Sequence, residues 1–284
     1  MPAIIRSYDN RNEPIIALGR HDTSLTYFNL LRLTKGQDFR FSISNVECVC
    51  VVLSGNCEIR VDAELFKDVG RRKDVWAGRA DSVYVPSGKN VEIRANSDRT
   101  EVAVAGGYCE KCYEAFRVTP DEQVRVEVGS SVTKTHRNIY HILGQNGEGR
   151  AGNLIVNELY AEEGCWSGYP PHKHDTDQKG GDTRLEETAF EEVYHFRFRP
   201  ETGFGAQIVY QPDMSSQAFL TRNGDTVIID KGFHPTVTSP GHEEYIFAIL
   251  VGKSSRSLIQ NFQKEHRYLM SRFPGISDMQ EKYK

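Results

Sequence analysis

The chain has 284 residues and a formal net charge of −4, and this acidic balance argues against a nucleic-acid-binding protein, which is usually basic. No apolar run approaches the ~20 residues of a transmembrane helix, and the N-terminus lacks the apolar core of a secretory signal. We therefore expect a cytoplasmic protein with no membrane partner. Its six cysteines are too sparse for a disulfide scaffold, and we interpret Cys109 and Cys112, a C-x-x-C pair without a partner motif, as free thiols.

The first half of the chain predicts a series of short strands. They follow a polar stretch, residues 1–24, that we expect to form a surface arm. Apolar or alternating residues mark each strand, and turn residues such as Gly55 and Gly88 separate them. Short strands at this spacing are typical of a β-sandwich or barrel. The predicted strands are 25–33, 39–43, 48–53, 57–61, 82–85, 91–95 and 101–105.

The second half repeats this style, so we predict a duplicated all-β architecture. A connector over residues 106–135, with a strand at 123–128, joins the halves. We place the boundary near residue 120, which gives an N-terminal domain at 1–120 and a C-terminal domain at 121–284. From about residue 258 the chain is charged with scattered apolar residues, which indicates a C-terminal helix or tail. The predicted strands are 153–160, 192–198, 205–210, 224–229 and 244–251.

A pair of histidines, His172 and His174, lies in the most distinctive stretch of the chain. Alternate side chains of a strand point to the same face, so both imidazoles should enter one cavity. A lone H-x-H pair is weak evidence for a metal site. Here the carboxylates Glu191 and Glu192 follow on a predicted strand, and His234 comes later. These groups together indicate a metal site.

Four segments of the second half resemble the 5-deoxy-glucuronate isomerase family of bacterial inositol catabolism, and the resemblance extends from about residue 25 to 252. The V-L-S-G, G-R-R and Y-V-P-S-G stretches of the first half are also similar to that family. The four segments are W-S-G-Y-P-P-H-K-H-D (166–175), F-E-E-V-Y-H-F-R-F-R-P-E-T-G-F-G (190–205), G-D-T-V-I-I-D-K-G-F-H-P (224–235) and P-G-H-E-E-Y (240–245).

The resemblance implies a bicupin with two antiparallel β-barrel (jelly-roll) domains, of which only the second holds a metal. It implies metal ligands at His172, His174, Glu192 and His234, and a substrate-binding arginine at Arg137. It further implies an isomerase that converts 5-deoxy-glucuronate to 2-deoxy-5-keto-gluconate through a metal-bound enediolate, similar to the 4-deoxy-uronate ketol isomerases. The expected partners are a small-molecule uronic acid and further copies of the same chain.

The chemistry of these residues supports the ligand set. Three imidazoles and one carboxylate suit a divalent cation such as Zn, Mn, Fe or Ni, and such a cation can polarise a carbonyl and stabilise an enediolate. Glu192 competes with Glu186, Glu187 and Glu191 for the carboxylate position, and we prefer Glu192 because it adjoins the predicted strand. We interpret the remaining histidines of the second half as surface or packing residues: His136, His141, His195, His242 and His266.

Three positions depart from the family pattern. An arginine is usual at Ile208, and a tyrosine and an asparagine are usual at Ile246 and Ala248. If these positions line the pocket, the substrate differs although the metal remains. Two other functions therefore stay open, namely an Fe(II) cupin oxygenase with the same ligands and a sugar-binding bicupin without turnover. No G-x-G-x-x-G follows a predicted strand, so we expect no nicotinamide cofactor.

Overall fold

The structure is a computed structural model that describes residues 2–21, 23–181 and 184–283. Strands take 48% of the chain, helices take 8%, and the sheets are antiparallel, which confirms the all-β prediction. Within the described residues the sheets do not close into a barrel. The strands of the first half are β1 (Ala3–Ile5), β2 (Thr26–Leu33), β3 (Asp38–Phe41), β4 (Val46–Ser54), β5 (Cys57–Val61), β6 (Glu64–Val69), β7 (Asp81–Val85), β8 (Val91–Ala95), β9 (Thr100–Tyr108) and β10 (Phe116–Val118).

The second half contains shorter and more numerous strands, together with the one α-helix of the described residues, α1 (Ile276–Lys282). Short 3-10 helices occur at Pro120–Glu122, Gln145–Gly147 and Lys264–Ser271. The strands are β11 (Val124–Val128), β12 (Arg137–Leu143), β13 (Leu154–Ala161), β14 (Trp166–Ser167), β15 (His172–Lys173), β16 (Gln178–Lys179), β17 (Leu185–Glu187), β18 (Phe190–Arg199), β19 (Phe204–Tyr210), β20 (Ser216–Arg222), β21 (Thr226–Ile229), β22 (Thr236–Thr238), β23 (Glu243–Gly252) and β24 (Asn261–Phe262).

The contacts of the chain group its residues into two compact units. The first, which we call the histidine unit, contains residues 1–8, 125–141 and 157–284. The second, the apolar unit, contains residues 9–124 and 142–156. The predicted division into an N-terminal domain at 1–120 and a C-terminal domain at 121–284 stays a prediction.

The apolar unit is built from two sheets, ordered β10-β7-β4-β9-β2 and β3-β8-β5-β6. Ile59 and Ile93 are fully buried while Arg60 is exposed, the alternation expected of strands with one face on a core. Apolar side chains fill this interior, and within the described residues it offers no cluster of metal-binding groups. Cys109 and Cys112 are free thiols, as predicted.

The histidine unit is built around a seven-stranded sheet, ordered β1-β21-β18-β23-β13-β12-β11, and a four-stranded sheet, β14-β22-β19-β20. Two short pairs, β15-β24 and β16-β17, complete it. The expected surface arm is wrong for residues 3–5. Ile4 pairs with Val227 of β21, because this short apolar segment can extend the sheet at its edge. The predicted C-terminal helix is present as α1.

A buried carboxyl, Glu244, lies in β23 opposite Phe198 of β18. It is fully buried, and within the described residues neither of its oxygens has a hydrogen-bond partner. Gly205 leaves room for it, since a Cβ at that glycine would lie 2.8 Å from Oε1. Burial disfavours the charged form and raises the pKa of Glu244 to about 8. The carboxyl therefore keeps its proton at neutral pH.

We predict that Glu244→Gln stabilises the fold at pH 9 relative to the wild type and changes it little at pH 5. The folded-state pKa lies above the unfolded value of about 4.3, so the folded state holds the extra proton. The wild-type free energy of unfolding should therefore fall as the pH rises through this window, by on the order of a few kcal/mol, and the amide should not show this loss. Thermal unfolding of both proteins between pH 5 and pH 9 tests this. If the stability of the variant and of the wild type changed with pH in the same way, the prediction would be contradicted.

Candidate metal centre

Three buried histidines converge in the histidine unit. His172 lies in β15, His174 follows that strand, and His234 lies in the turn between β21 and β22. Their nearest ring nitrogens all lie within 4.8 Å of one another, and none of the three residues is more than 5% exposed. The His234 ring stands edge-on to both others, with centroids 5.0 Å from His172 and 4.9 Å from His174. This cluster could hold a metal ion.

Backbone carbonyls orient two of these imidazoles. Nδ1 of His172 lies 3.1 Å from the carbonyl oxygen of Pro170, and Nδ1 of His234 lies 2.8 Å from that of Gly232. A carbonyl only accepts, so each Nδ1 carries the proton and each Nε2 keeps its lone pair. Metal-binding histidines are held in this way by an outer partner. Nε2 of His234 has no hydrogen-bond partner among the described residues, whereas Nε2 of His172 faces the amide nitrogen of Gln260. Each Nε2 is thus the ring atom that can coordinate a metal, but that of His172 must exchange this contact for the metal.

Glu192 brings a carboxylate to the same cluster from β18. Its Oε2 lies 3.1 Å from Nε2 of His174 and 3.2 Å from Nε2 of His234. Burial opposes ionisation, but the two neighbouring imidazoles outweigh it and hold the pKa of Glu192 well below its usual range. Three imidazoles and one carboxylate are a donor set that fits a divalent cation.

The other carboxylates considered for the ligand position are bonded elsewhere, exposed or directed to the opposite face of their strand. Glu187 is fully buried and accepts hydrogen bonds from Nζ of Lys173 at 2.8 Å, the backbone N of Asp175 at 2.8 Å and Nδ2 of Asn261 at 3.0 Å. Its oxygens are therefore committed to fixing the chain around the histidines. Glu186 is exposed, and Glu191 precedes Glu192 on β18, so alternation directs its side chain to the opposite face.

Two of the three departures from the family pattern lie on the interior face that Glu192 occupies. Directly opposite residues of antiparallel strands point to the same face. Ala248 is opposite Tyr194, and Ile246 is opposite Phe196, two and four residues beyond Glu192 on β18. Both are buried. On β19, by contrast, Ile208 alternates with the buried Gln207 and Val209 and points away from their face.

Arg137 begins β12 and is 1% exposed. Its Nη1 donates to the carbonyl of Thr135 at 3.0 Å and its Nη2 to that of Tyr169 at 2.9 Å. No acidic side chain among the described residues forms an ion pair with it. Burial lowers the pKa of Arg137 to about 10, so the guanidinium stays charged at neutral pH. The guanidinium therefore carries a buried positive charge that no carboxylate of the described residues pairs with directly.

Sequence reasoning missed two residues around the cluster, Gln260 and Tyr194. Nε2 of Gln260 lies 3.0 Å from Nε2 of His172, and no pattern in the charged C-terminal stretch marks this glutamine. Tyr194 is buried on the face of Glu192, and strand alternation could have found it. His141, interpreted as a surface or packing residue, is 3% exposed and lies edge-on to the ring of Tyr283.

A family model described as the KduI/IolB family matches residues 5–269. The chain is 34% identical over 245 residues to a 5-deoxy-glucuronate isomerase of Geobacillus thermodenitrificans, which covers 86% of this chain and 85% of the relative. It is 31% identical over 258 residues to a 5-deoxy-glucuronate isomerase of Bacillus licheniformis, with coverage of 88% and 90%.

Solved structures agree with these sequence matches. The chain superimposes on an IolB-like protein from Salmonella typhimurium with a TM-score of 0.82 and 26% identity, covering 89% of this chain and 93% of that one. A mutant of the Bacillus subtilis oxalate decarboxylase gives a TM-score of 0.56 at 14% identity, with coverage of 80% and 68%. The second likeness concerns the fold alone and confirms the cupin prediction. Among the described residues, no helix has the length and apolar character to cross a bilayer.

We predict that His172→Ala, His174→Ala and His234→Ala each release bound metal, because each removes one donor of the cluster. The loss of affinity should exceed the ~10–100-fold that removal of a ligand's supporting partner costs. Metal content after dialysis, measured by mass spectrometry, tests this. His21→Ala, which changes an exposed histidine, is the matched control. If all three single variants kept as much metal as the wild type, the prediction would be contradicted.

A second pair of variants separates the two buried carboxylates. Glu192→Gln should lose metal, since an amide is a poor ligand, while Glu187→Gln should retain it because its remaining oxygen can still accept hydrogen bonds. The same dialysis measurement applies. Retention in Glu192→Gln together with loss in Glu187→Gln would transfer the carboxylate role to Glu187.

Proposed function

Since this chain belongs to the KduI/IolB family, we propose that it isomerises 5-deoxy-glucuronate to 2-deoxy-5-keto-gluconate at the histidine cluster. The observation that carries the proposal is the convergence of three buried imidazoles and Glu192 in a chain that the family model matches almost throughout. The curated relatives that share about a third of its residues are 5-deoxy-glucuronate isomerases. The enzyme class is therefore an intramolecular oxidoreductase.

We assign His172, His174, His234 and Glu192 as the ligands of one divalent cation. The oriented Nε2 lone pairs and the ionised carboxylate support this assignment. Zn, Mn, Fe and Ni all accept such a donor set. When bound, the cation supplies a Lewis acid for the carbonyl and the adjacent hydroxyl of the sugar acid. The isomerisation moves hydrogen between neighbouring carbons of one molecule and needs no nicotinamide cofactor.

Arg137 is assigned to the carboxylate of the uronic acid. A buried charge is costly unless it is paired, and the guanidinium of Arg137 contacts only backbone carbonyls within the described residues. These two bonds fix the plane of the group while leaving further N–H donors. A planar fork of this kind binds carboxylates in a bidentate manner. A small-molecule uronic acid is thus the proposed partner, and a homo-oligomeric state and a cytoplasmic location stay predictions.

Reaction in deuterated water tests the proposed chemistry. Proton transfer between adjacent carbons makes the hydrogen beside the carbonyl labile, so NMR should find deuterium at that carbon of the product. Chelation should abolish turnover, and added divalent metal should restore it. Turnover that survives complete metal removal would contradict the proposal, and stoichiometric oxygen consumption would favour the oxygenase alternative.

Replacement of Arg137 tests the carboxylate contact. Arg137→Lys keeps the charge but loses the planar fork, so KM for the uronic acid should rise about tenfold or more, equivalent to ~1.4 kcal/mol or more. Metal content should stay unchanged. The exposed Arg125, changed to Lys, is the control in the same unit. A KM equal to that of the control would remove Arg137 from the substrate site.

A further inference from the structure

The C-terminal segment, residues 258–283, packs onto the histidine unit, although the family match ends at residue 269. Phe273, Ile276 and Met279 share one buried apolar cluster with Val126 and Ile139. Such burial removes apolar surface from water and anchors α1 to the sheet. Residues 270–283, the last that the structure describes, are thus an integral part of the histidine unit, and they follow the residues that the family model matches.

Main-chain bonds fix the course of this segment. The N–H of Gly129 donates to the carbonyl of Pro274 at 2.8 Å, and the N–H of Leu258 donates to that of Tyr283 at 2.7 Å. Gly275 has a φ of 77°, and a Cβ there would lie 1.9 Å from the carbonyl oxygen of Glu127. Only glycine suits that close approach. The contacts of Pro274 and Gly275 fix where α1 begins. The bond from Leu258 fixes the backbone of Tyr283 after the end of the helix.

The ring of Tyr283 packs against the apolar cluster that contains Phe262, whose own ring centroid lies 5.3 Å from that of His172. It lies edge-on to His141, with centroids 4.8 Å apart. Its hydroxyl accepts a hydrogen bond from Nδ2 of Asn157 at 3.0 Å. Within the described residues this hydroxyl has no acceptor for its own proton. A partly buried O–H donor without a protein acceptor keeps one hydrogen bond to give, and an oxygen atom of a bound molecule can accept it.

The charges around Tyr283 agree with a position near the histidine cluster and Arg137. Burial raises the pKa of Tyr283 well above its usual range, the carboxylate of Glu192 raises it further, and the guanidinium of Arg137 opposes the rise. The phenol therefore stays protonated and remains a donor. Both the carboxylate at the histidine cluster and the guanidinium act on the same hydroxyl.

We propose that Tyr283 contacts the substrate, its hydroxyl donating a hydrogen bond to an oxygen of the sugar acid that Arg137 and the histidine cluster bind. This inference rests on the proposed function. It makes the C-terminal segment, beyond the family match, a determinant of specificity. Asn157 sets the direction of the bond, because an amide N–H already occupies the acceptor side of the hydroxyl.

The test compares Tyr283→Phe, which removes one oxygen atom, with the wild-type enzyme. Loss of a hydrogen bond to substrate should lower kcat/KM about tenfold or more. Metal content should be unchanged and the thermal midpoint should shift little, whereas a structural role would lower stability and activity together. Tyr268→Phe, at a 57% exposed tyrosine of the same segment, is the matched control. A kcat/KM within twofold of wild type would overturn the proposal.

Calorimetric binding of D-glucuronate to the metal-loaded proteins keeps the test independent of turnover. If the wild type turns over no deoxy-uronic acid, the proposed function fails, and binding then decides the contact. Binding to Tyr283→Phe that is about tenfold weaker than to wild type supports the contact, since a factor of ten equals about 1.4 kcal/mol, the size of one hydrogen bond. Equal binding by both proteins, or none by either, overturns it.

Discussion

One buried carboxylate, that of Glu187, ties together the segments that bring the histidines into contact. It accepts hydrogen bonds from Lys173, from the backbone N–H of Asp175 and from Asn261, and Asp175 in turn accepts the N–H of Gly232 at 2.7 Å. Three stretches that are distant in the chain are therefore fixed by one ionic network. Such a network offsets its desolvation cost only when its lone pairs are filled, and this condition is met here.

The two units use buried carboxylates in different ways. In the apolar unit, Glu47 accepts the hydroxyl of Tyr84 at 2.7 Å and the N–H of Gly152 at 2.6 Å, and the surrounding interior is apolar. In the histidine unit, Glu192 faces imidazoles that could share a cation, and Arg137 keeps an unmatched charge. Both units are built from antiparallel strands, but apolar side chains fill the interior of the apolar unit, whereas the interior of the histidine unit contains groups that could bind a metal ion. Polar groups that keep unused bonding capacity distinguish the functional interior from the structural one.

Strand alternation predicted most of the sheets and placed Glu192 on the strand that delivers it to the cluster. Strand alternation did not predict the residues whose contacts depend on segments distant in the chain. The strand at the histidine pair is only two residues long, so His174 reaches the cluster through a fixed loop instead of through sheet alternation. Gln260 and Tyr283 carry no periodic signal, because their neighbours are placed by long-range packing of the C-terminal segment. Local pattern does not encode contacts of that separation.

The pairing of β15 with β24 has a consequence for the order in which this unit forms. His172 pairs with Phe262, and Gln260, 88 residues from His172 in sequence, lies beside its ring. Closing a loop of that length costs chain entropy before the contact returns any stabilisation. Strands closer in the chain, such as β18 and β21 with Glu192 paired to Ile229, can pair first. The surroundings of His172 are complete only after β15 and β24 have paired, so tight metal capture reports that these distant segments have reached their native positions.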